Sequence, residues 1–246
     1  MSTKESQRQK RLFYTSQGLT CEGKVRVSLN GARKSIRKLV CGIGVHDLNI
    51  SCRDPSVYDH WCLWSRMLRR CYSNKHQVSH PTYIGCSVCP EWLCFSGFVT
   101  WVNTQEESAW RTMDIDKDIL VICNKQYSPD SCVFVNSRIN SFFVCGAPKK
   151  SGLPVGVTHC GSRYEPSIST KHEKSNGLQK RRSTSTSEES RMIYLQYKAS
   201  RALELIPLTN HKGVVARLQY EHRIMTEEAN TIAEKLITTN DITTYC

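Results

Sequence analysis

DIDKDILVICNKQYSPDSCVFVNSRIN, residues 114–140, is the stretch from which the fold is read. It opens with an acidic, apolar-alternating segment (Ile115, then Ile119, Leu120, Val121 and Ile122) and reaches a polar turn at Asn124-Lys125. A second turn, Ser128 to Ser131 with Pro129 in it, leads to a β-branched and aromatic run, Cys132 to Val135. Ser137 is placed to cap a short helix carrying Asn140, Phe142 and Phe143. The prediction is strand, turn, strand, helix: a ββα unit.

The chain around it has 246 residues, room for one or two domains with a core that needs no covalent staples. Lys and Arg number 34 against 22 Asp and Glu, a formal charge of +12, concentrated in residues 1–39 and 146–201. Separated basic blocks favour a polyanionic partner, foremost nucleic acid, over a merely soluble basic surface. No apolar run approaches the ~20 residues needed to cross a bilayer, so a membrane partner is not expected. The N-terminal MSTKESQRQKRLFYTSQ has no hydrophobic signal core, which points to a cytoplasmic protein. Its thirteen cysteines then read as reduced thiols. Cys86 and Cys89 form a C-x₂-C pair with Cys94 nearby, but no second pair stands at finger spacing, which makes zinc the weaker reading.

Taken in order, residues 1–35 read as a basic arm with a strand at Lys24 to Leu29. Residues 36–146 form a first domain. Tyr58, Trp61, Trp64, Leu68 and Cys71 recur at helical spacing, leaving Arg66, Arg69 and Arg70 for another face. Pro90 opens a second helix that buries Trp92, Phe95, Phe98 and Trp101. A linker at Ala147 to Gly152 introduces a second domain, residues 147–208. Leu153 to Thr158 and Ser162 to Ser169 read as two strands about a Cys160-Gly161 turn, and Thr186 or Ser187 with Glu189 caps a helix running through Ile193, Tyr194, Tyr197 and Leu203. Residues 209–246 add helical pattern at Val214 to Leu218 and Glu227 to Leu236, then a loose end.

The segment from Trp64 to Tyr72, Pro81 to Trp92 and Phe95 to Trp101, followed by Asp116-Lys-Asp118, Asn124-Lys125 and Tyr127-Ser-Pro129, resembles phage-borne HNH-type endonucleases across roughly residues 40–143. The resemblance implies a ββα finger in which Asp116-Lys117 takes the Asp-His position, Asn124 the middle Asn, Pro129 the Pro and Asn140 the closing residue. Asp116 and Asn140 would be the oxygen ligands of one Mg²⁺ ion, and a His would activate the attacking water. Here that His is Lys117, a cation at neutral pH. A base supplied by His60, His76 or His80 is an open alternative, as is a finger whose Asp116, Lys117, Asn124 and Asn140 keep its shape without its chemistry.

Residues 153–205 resemble the apetala/ethylene-response-factor type of DNA-binding domain, in which a three-stranded sheet lies in the major groove with a helix behind it. Val155-Gly156-Val157 matches the first strand, Tyr164 the aromatic of the second, Thr186 to Ser190 the helix start and Tyr194 the helical Tyr; Arg181 to Thr184 departs from the third-strand pattern. On this resemblance Arg163, Tyr164, Lys171, Lys174, Lys180, Arg181 and Arg182 are the candidate DNA contacts, mostly to phosphates. The fold expected is α+β: preceding helices, a degenerate ββα finger, then a small three-stranded sheet with a helix. The function expected is a phage-type double-stranded DNA-binding protein, in the cytoplasm of an infected bacterium, related to HNH homing endonucleases with cleavage weak or lost. An active Mg²⁺-dependent nicking or homing endonuclease, and a phage protein that binds and modulates a host protein, are the alternatives.

Overall fold

The computed structural model describes residues 24–29, 32–105, 108–144, 152–168 and 183–243, and mixes helices with four small two-stranded sheets. The fold is α+β in this coarse sense. Its elements are β1 (Lys24–Leu29), β2 (Ala32–Lys38), α1 (Tyr58–Tyr72), α2 (Asn74–Ser79), β3 (Ser87–Val88), α3 (Pro90–Leu93), α4 (Phe95–Thr104), β4 (Asp114–Asp116), β5 (Gln126–Tyr127), β6 (Val133–Val135), α5 (Ser137–Phe143), β7 (Val157–Cys160), β8 (Arg163–Pro166), α6 (Ser187–Leu205) and α7 (Lys212–Thr243). β1 and β2 pair antiparallel, β3 and β5 parallel, β4 lies beside β6, and β7 and β8 form an antiparallel hairpin. The chain divides into two compact units, Met1–Phe134 and Val135–Cys246.

In the first unit, α1 buries His60, Trp64, Met67, Leu68 and Cys71. The expected stripe is therefore rotated at its start: Tyr58 is 49% exposed, and His60 takes its place inside. The single aromatic helix expected from Pro90 onward is two helices. Cys94 is extended between them because Val45 bridges it, with Val45 N donating to Leu93 O at 2.8 Å and Phe95 N to Val45 O at 2.9 Å. Pro90 does occupy the first turn of α3, where its missing N–H costs nothing. Asp47 caps α4, accepting from the Ser96 amide at 2.8 Å. Trp64, Trp92, Phe95 and Phe98 are fully enclosed, and Trp64 Nε1 donates to Trp92 O at 2.6 Å, so the buried indole dipole is satisfied.

β4 is shorter than the alternation of Ile115 to Ile122 suggested. After Asp116 the chain leaves the sheet, and while Ile119 is buried, Val121 and Ile122 are 49% and 57% exposed. The cause is local: Asp116 Oδ1 accepts from the amides of Asp118 and Ile119 at 2.6 and 2.9 Å, a side-chain turn that competes with strand pairing. α5 is capped by Asn136, which accepts from Arg138 N at 2.9 Å, one residue before the expected Ser137.

In the second unit, β7 and β8 pair in the register Val157↔Pro166, Thr158↔Glu165, His159↔Tyr164 and Cys160↔Arg163. A third chain segment touches β8 through one bridge, Tyr164 to Thr184, with backbone bonds of 3.1 and 2.8 Å; among the described residues the third strand amounts to that bridge. α6 begins as expected: Thr186 accepts from Glu189 N at 3.2 Å, and Glu189 Oε2 reaches back to the Ser185 amide at 3.2 Å. Its inner face is Leu195, Ala199, Ala202 and Leu205, whereas Leu203 is 44% exposed. These residues pack against Val214, Leu218 and Ala229 of α7, and Arg191 of α6 pairs with Glu228 of α7 at 2.9 Å. α7 is one helix to Thr243 where two pieces and a loose end were expected: past Gly213 no Gly or Pro interrupts it, and Arg217–Glu221 and Arg223–Glu227 support it at i,i+4. Among the described residues no helix is long and apolar enough to cross a membrane.

Gly156 joins the hairpin to α6. Its φ is +85°, and a Cβ there would stand 2.3 Å from the Tyr194 ring. Replacement by Ala meets both a backbone and a steric penalty, so Gly156→Ala should lower unfolding free energy by about 2 kcal/mol or more. Denaturant melts of Gly156→Ala, Tyr194→Ala and the double variant should reveal coupling, with the double variant less damaged than the sum of the singles.

Candidate functional site

The finger loop of the first unit brings three of the four expected finger residues together. Lys117 is only 5% exposed. Its Nζ donates to both oxygens of Asp118 at 2.6 Å and to Asn124 O at 2.8 Å. Asn124 answers from the other side: Nδ2 donates to Lys117 O at 2.9 Å and Gln126 O at 2.6 Å, and Oδ1 accepts from Gln126 N at 3.1 Å. A buried ammonium needs such partners, and the loop from residue 116 to 127 closes on it. Beneath it Ser131 Oγ donates to Gln126 O at 2.9 Å, and the buried Tyr127 hydroxyl bonds Arg70. Asn140 belongs to the second unit, half-buried on α5.

Burial pushes the Asp116 carboxyl above the usual carboxylate range; the two amides on Oδ1 and the nearby Lys117 pull it back, and Asp118 adds to the rise. No histidine is among these influences. His60 is buried with Nε2 on Asn103 Oδ1 at 3.0 Å and its ring 4.6 Å from Trp110. His76 and His80 stack on each other at 4.3 Å.

Among the described residues the cysteines range from buried through half-buried to exposed thiols, none of them in a disulfide. Cys71, Cys86, Cys89 and Cys132 are buried and Cys94 half-buried; burial raises the Cys89 thiol to about 11 and Cys132 to about 12, which disfavours the thiolate a metal requires. Among the described residues no group of three or more His, Cys, Asp or Glu side chains is arranged to hold a metal ion.

In the second unit the β7–β8 hairpin has two faces set by its register. Val157 and Pro166 are buried on one, and His159 and Tyr164 share that side by alternation, their rings 4.8 Å apart. Thr158, Cys160, Arg163 and Glu165 share the other. Arg163 is exposed and donates to Ser183 O at 3.1 Å. Arg163 and Tyr164 thus lie on opposite faces. Lys171, Lys174, Lys180, Arg181 and Arg182 fall outside the described residues. Thr158, Cys160 and Glu165 are not among the residues expected from sequence, although period-two alternation from Val157 and Arg163 finds them.

Comparisons with protein-family models, curated proteins and solved structures find no match.

The two roles open to Asp116 separate by substitution. Its folded pKa is raised, so its contribution favours folding below the unfolded carboxyl range near ~3.9 and is lost as pH rises through the folded value. Asn keeps the Oδ1 acceptor without the charge. Asp116→Asn should match or exceed the wild-type melting temperature at pH 7, while Asp116→Ala should cost about 1 kcal/mol by freeing two amides. Thermal melts at pH 5 and pH 7 check both.

Proposed function

We propose that the chain is a double-stranded DNA-binding protein related to phage HNH-type endonucleases, its finger kept as a scaffold with cleavage weak or lost. The observation that carries the second half of this reading is Lys117. It stands where the resemblance calls for a histidine base, and its ammonium is committed to Asp118 and Asn124 inside the loop. Asn124 engages backbone with both amide atoms, and Asp116 holds two amides on Oδ1. Such a set offers Mg²⁺ one remaining carboxylate oxygen beside a positive charge, a poor match for a hard cation that takes several oxygen ligands.

The first half rests on charge and on the hairpin. A formal charge of +12 suits a polyanion, and a small twisted sheet backed by a helix can present one face to a groove. Arg163 and Thr158 on the outward face would meet the duplex, with Lys171, Lys174, Lys180, Arg181 and Arg182 supplying further contacts to phosphates.

Two assays test the parts separately. Full-length protein should retard duplex DNA at low salt and lose affinity steeply as salt rises. Lys171→Glu with Arg181→Glu should weaken binding at least tenfold; unchanged affinity would remove the basic segment of residues 171–182 from the interface, and unchanged affinity in Arg163→Glu would remove the hairpin. Supercoiled plasmid incubated with Mg²⁺ or Mn²⁺ should stay intact. Nicking that disappears in Asp116→Ala would instead establish an active endonuclease, and no retardation together with a stable complex with a purified host protein would favour the host-modulator reading.

A further inference from the structure

We propose that the outward side of α1 with the α2 histidines forms a second nucleic-acid contact, a phosphate-binding surface whose grip tightens as His76 takes up a proton. It rests on the duplex-binding reading above and places a contact in the first unit.

Arg66 and Arg69 are exposed one helical turn apart on α1, where side chains at i and i+3 are neighbours. Among the described residues the first unit's ion pairs are Arg111 with Asp59 and Lys117 with Asp118, so neither arginine has a carboxylate partner. Beside them runs a column of rings. The Arg70 guanidinium lies 5.6 Å from the centre of the Tyr83 ring, Tyr83 lies 5.8 Å from His76, and His76 lies 4.3 Å from His80 with the two imidazoles 15° from parallel. His76 Nε2 is enclosed and has no hydrogen-bond partner.

The charged and titratable groups acting on His76 are His80 from its own helix and Arg69 and Arg70 from α1, all cationic or able to become so. Burial first, then these neighbours, hold its pKa below the usual imidazole value. Asp114 acts on Arg70, but no anion is among the groups acting on His76, and among the described residues Arg66 and Arg69 have no carboxylate partner; what this side of the helix takes is multiple, spaced negative charge. A nucleic-acid backbone laid across Arg66 and Arg69 relieves the repulsion among them and makes protonation of His76 easier. Binding and proton uptake are then linked, so affinity rises as pH falls through the pKa in the complex and levels off below that of the unbound protein. A chance solvated arginine face would show no such linkage.

Fluorescence anisotropy of the full-length chain on a labelled duplex, across a NaCl series and from pH 7.5 to 5.5, tests this. In Arg66→Gln with Arg69→Gln, the slope of log affinity against log salt should become shallower by roughly 0.9 for each phosphate the protein no longer neutralises. Wild-type affinity should rise by up to about tenfold on acidification, the amount a one-unit pKa change on binding provides. His76→Gln should abolish that rise with its melting temperature unchanged, and Arg163→Gln should retain it. An unaltered salt slope in the arginine double variant, or an undiminished pH response in His76→Gln, overturns this surface while leaving the hairpin reading in place. A wild-type chain that binds no duplex at any salt overturns both.

Discussion

One ammonium group organises the first unit's finger loop. Lys117 is buried, and an ion taken out of water is tolerated only where hydrogen bonds replace its hydration. Asp118 supplies two acceptors and the Asn124 carbonyl a third, so residues far enough apart to be a floppy loop are drawn to a point. From that point order spreads outward. Asn124 fixes Gln126. Gln126 and Tyr127 pair with Ser87 and Val88. That strand leads directly into Pro90 and the aromatic core. Because Asp118 is half exposed, the pair itself contributes modestly to stability; its role is to set a conformation.

The second unit solves a different problem. A hairpin of two four-residue strands cannot stand alone in water, and here it is completed by a helix rather than by more strands. Val157 and Pro166 are buried, Gly156 admits the Tyr194 ring, and α6 is in turn held against the longer α7. Arg191 links the layers, donating to Val155 O at 2.6 Å and to Glu228. Lys198 closes over α5, its Nζ on Phe142 O at 2.6 Å and 3.7 Å from that ring.

Much of this is legible in the residues because the signals are local. The capping pair Thr186 and Glu189 and Pro90 at a helix start each depend on a few neighbouring atoms and stand as expected, and the hairpin turn falls one residue later than expected, at Gly161-Ser162, with Cys160 paired to Arg163. The early end of β4 has a local cause in the Asp116 turn, but two other departures are decided by a distant partner. Cys94 breaks a helix because Val45 reaches it from far along the chain, and the rotation of α1 that buries His60 follows from Trp110 and Asn103. The finger residues show both cases. Their spacing gathers Asp116, Lys117 and Asn124, but that their polar atoms face one another and the backbone emerges only from the folded loop.

The cysteine chemistry of the chain is more selective than its composition suggests. Thiols such as Cys71 and Cys132 sit in the core with their acidity suppressed, whereas Cys123, at the loop tip beside Asn124, and Cys160, at the end of β7, are exposed. Among the described residues Cys123 and Cys160 are the exposed thiols, one in each unit, so an alkylating reagent has a surface sulfur in the finger loop and another at the hairpin, beside the half-buried Cys41, Cys52, Cys62 and Cys94.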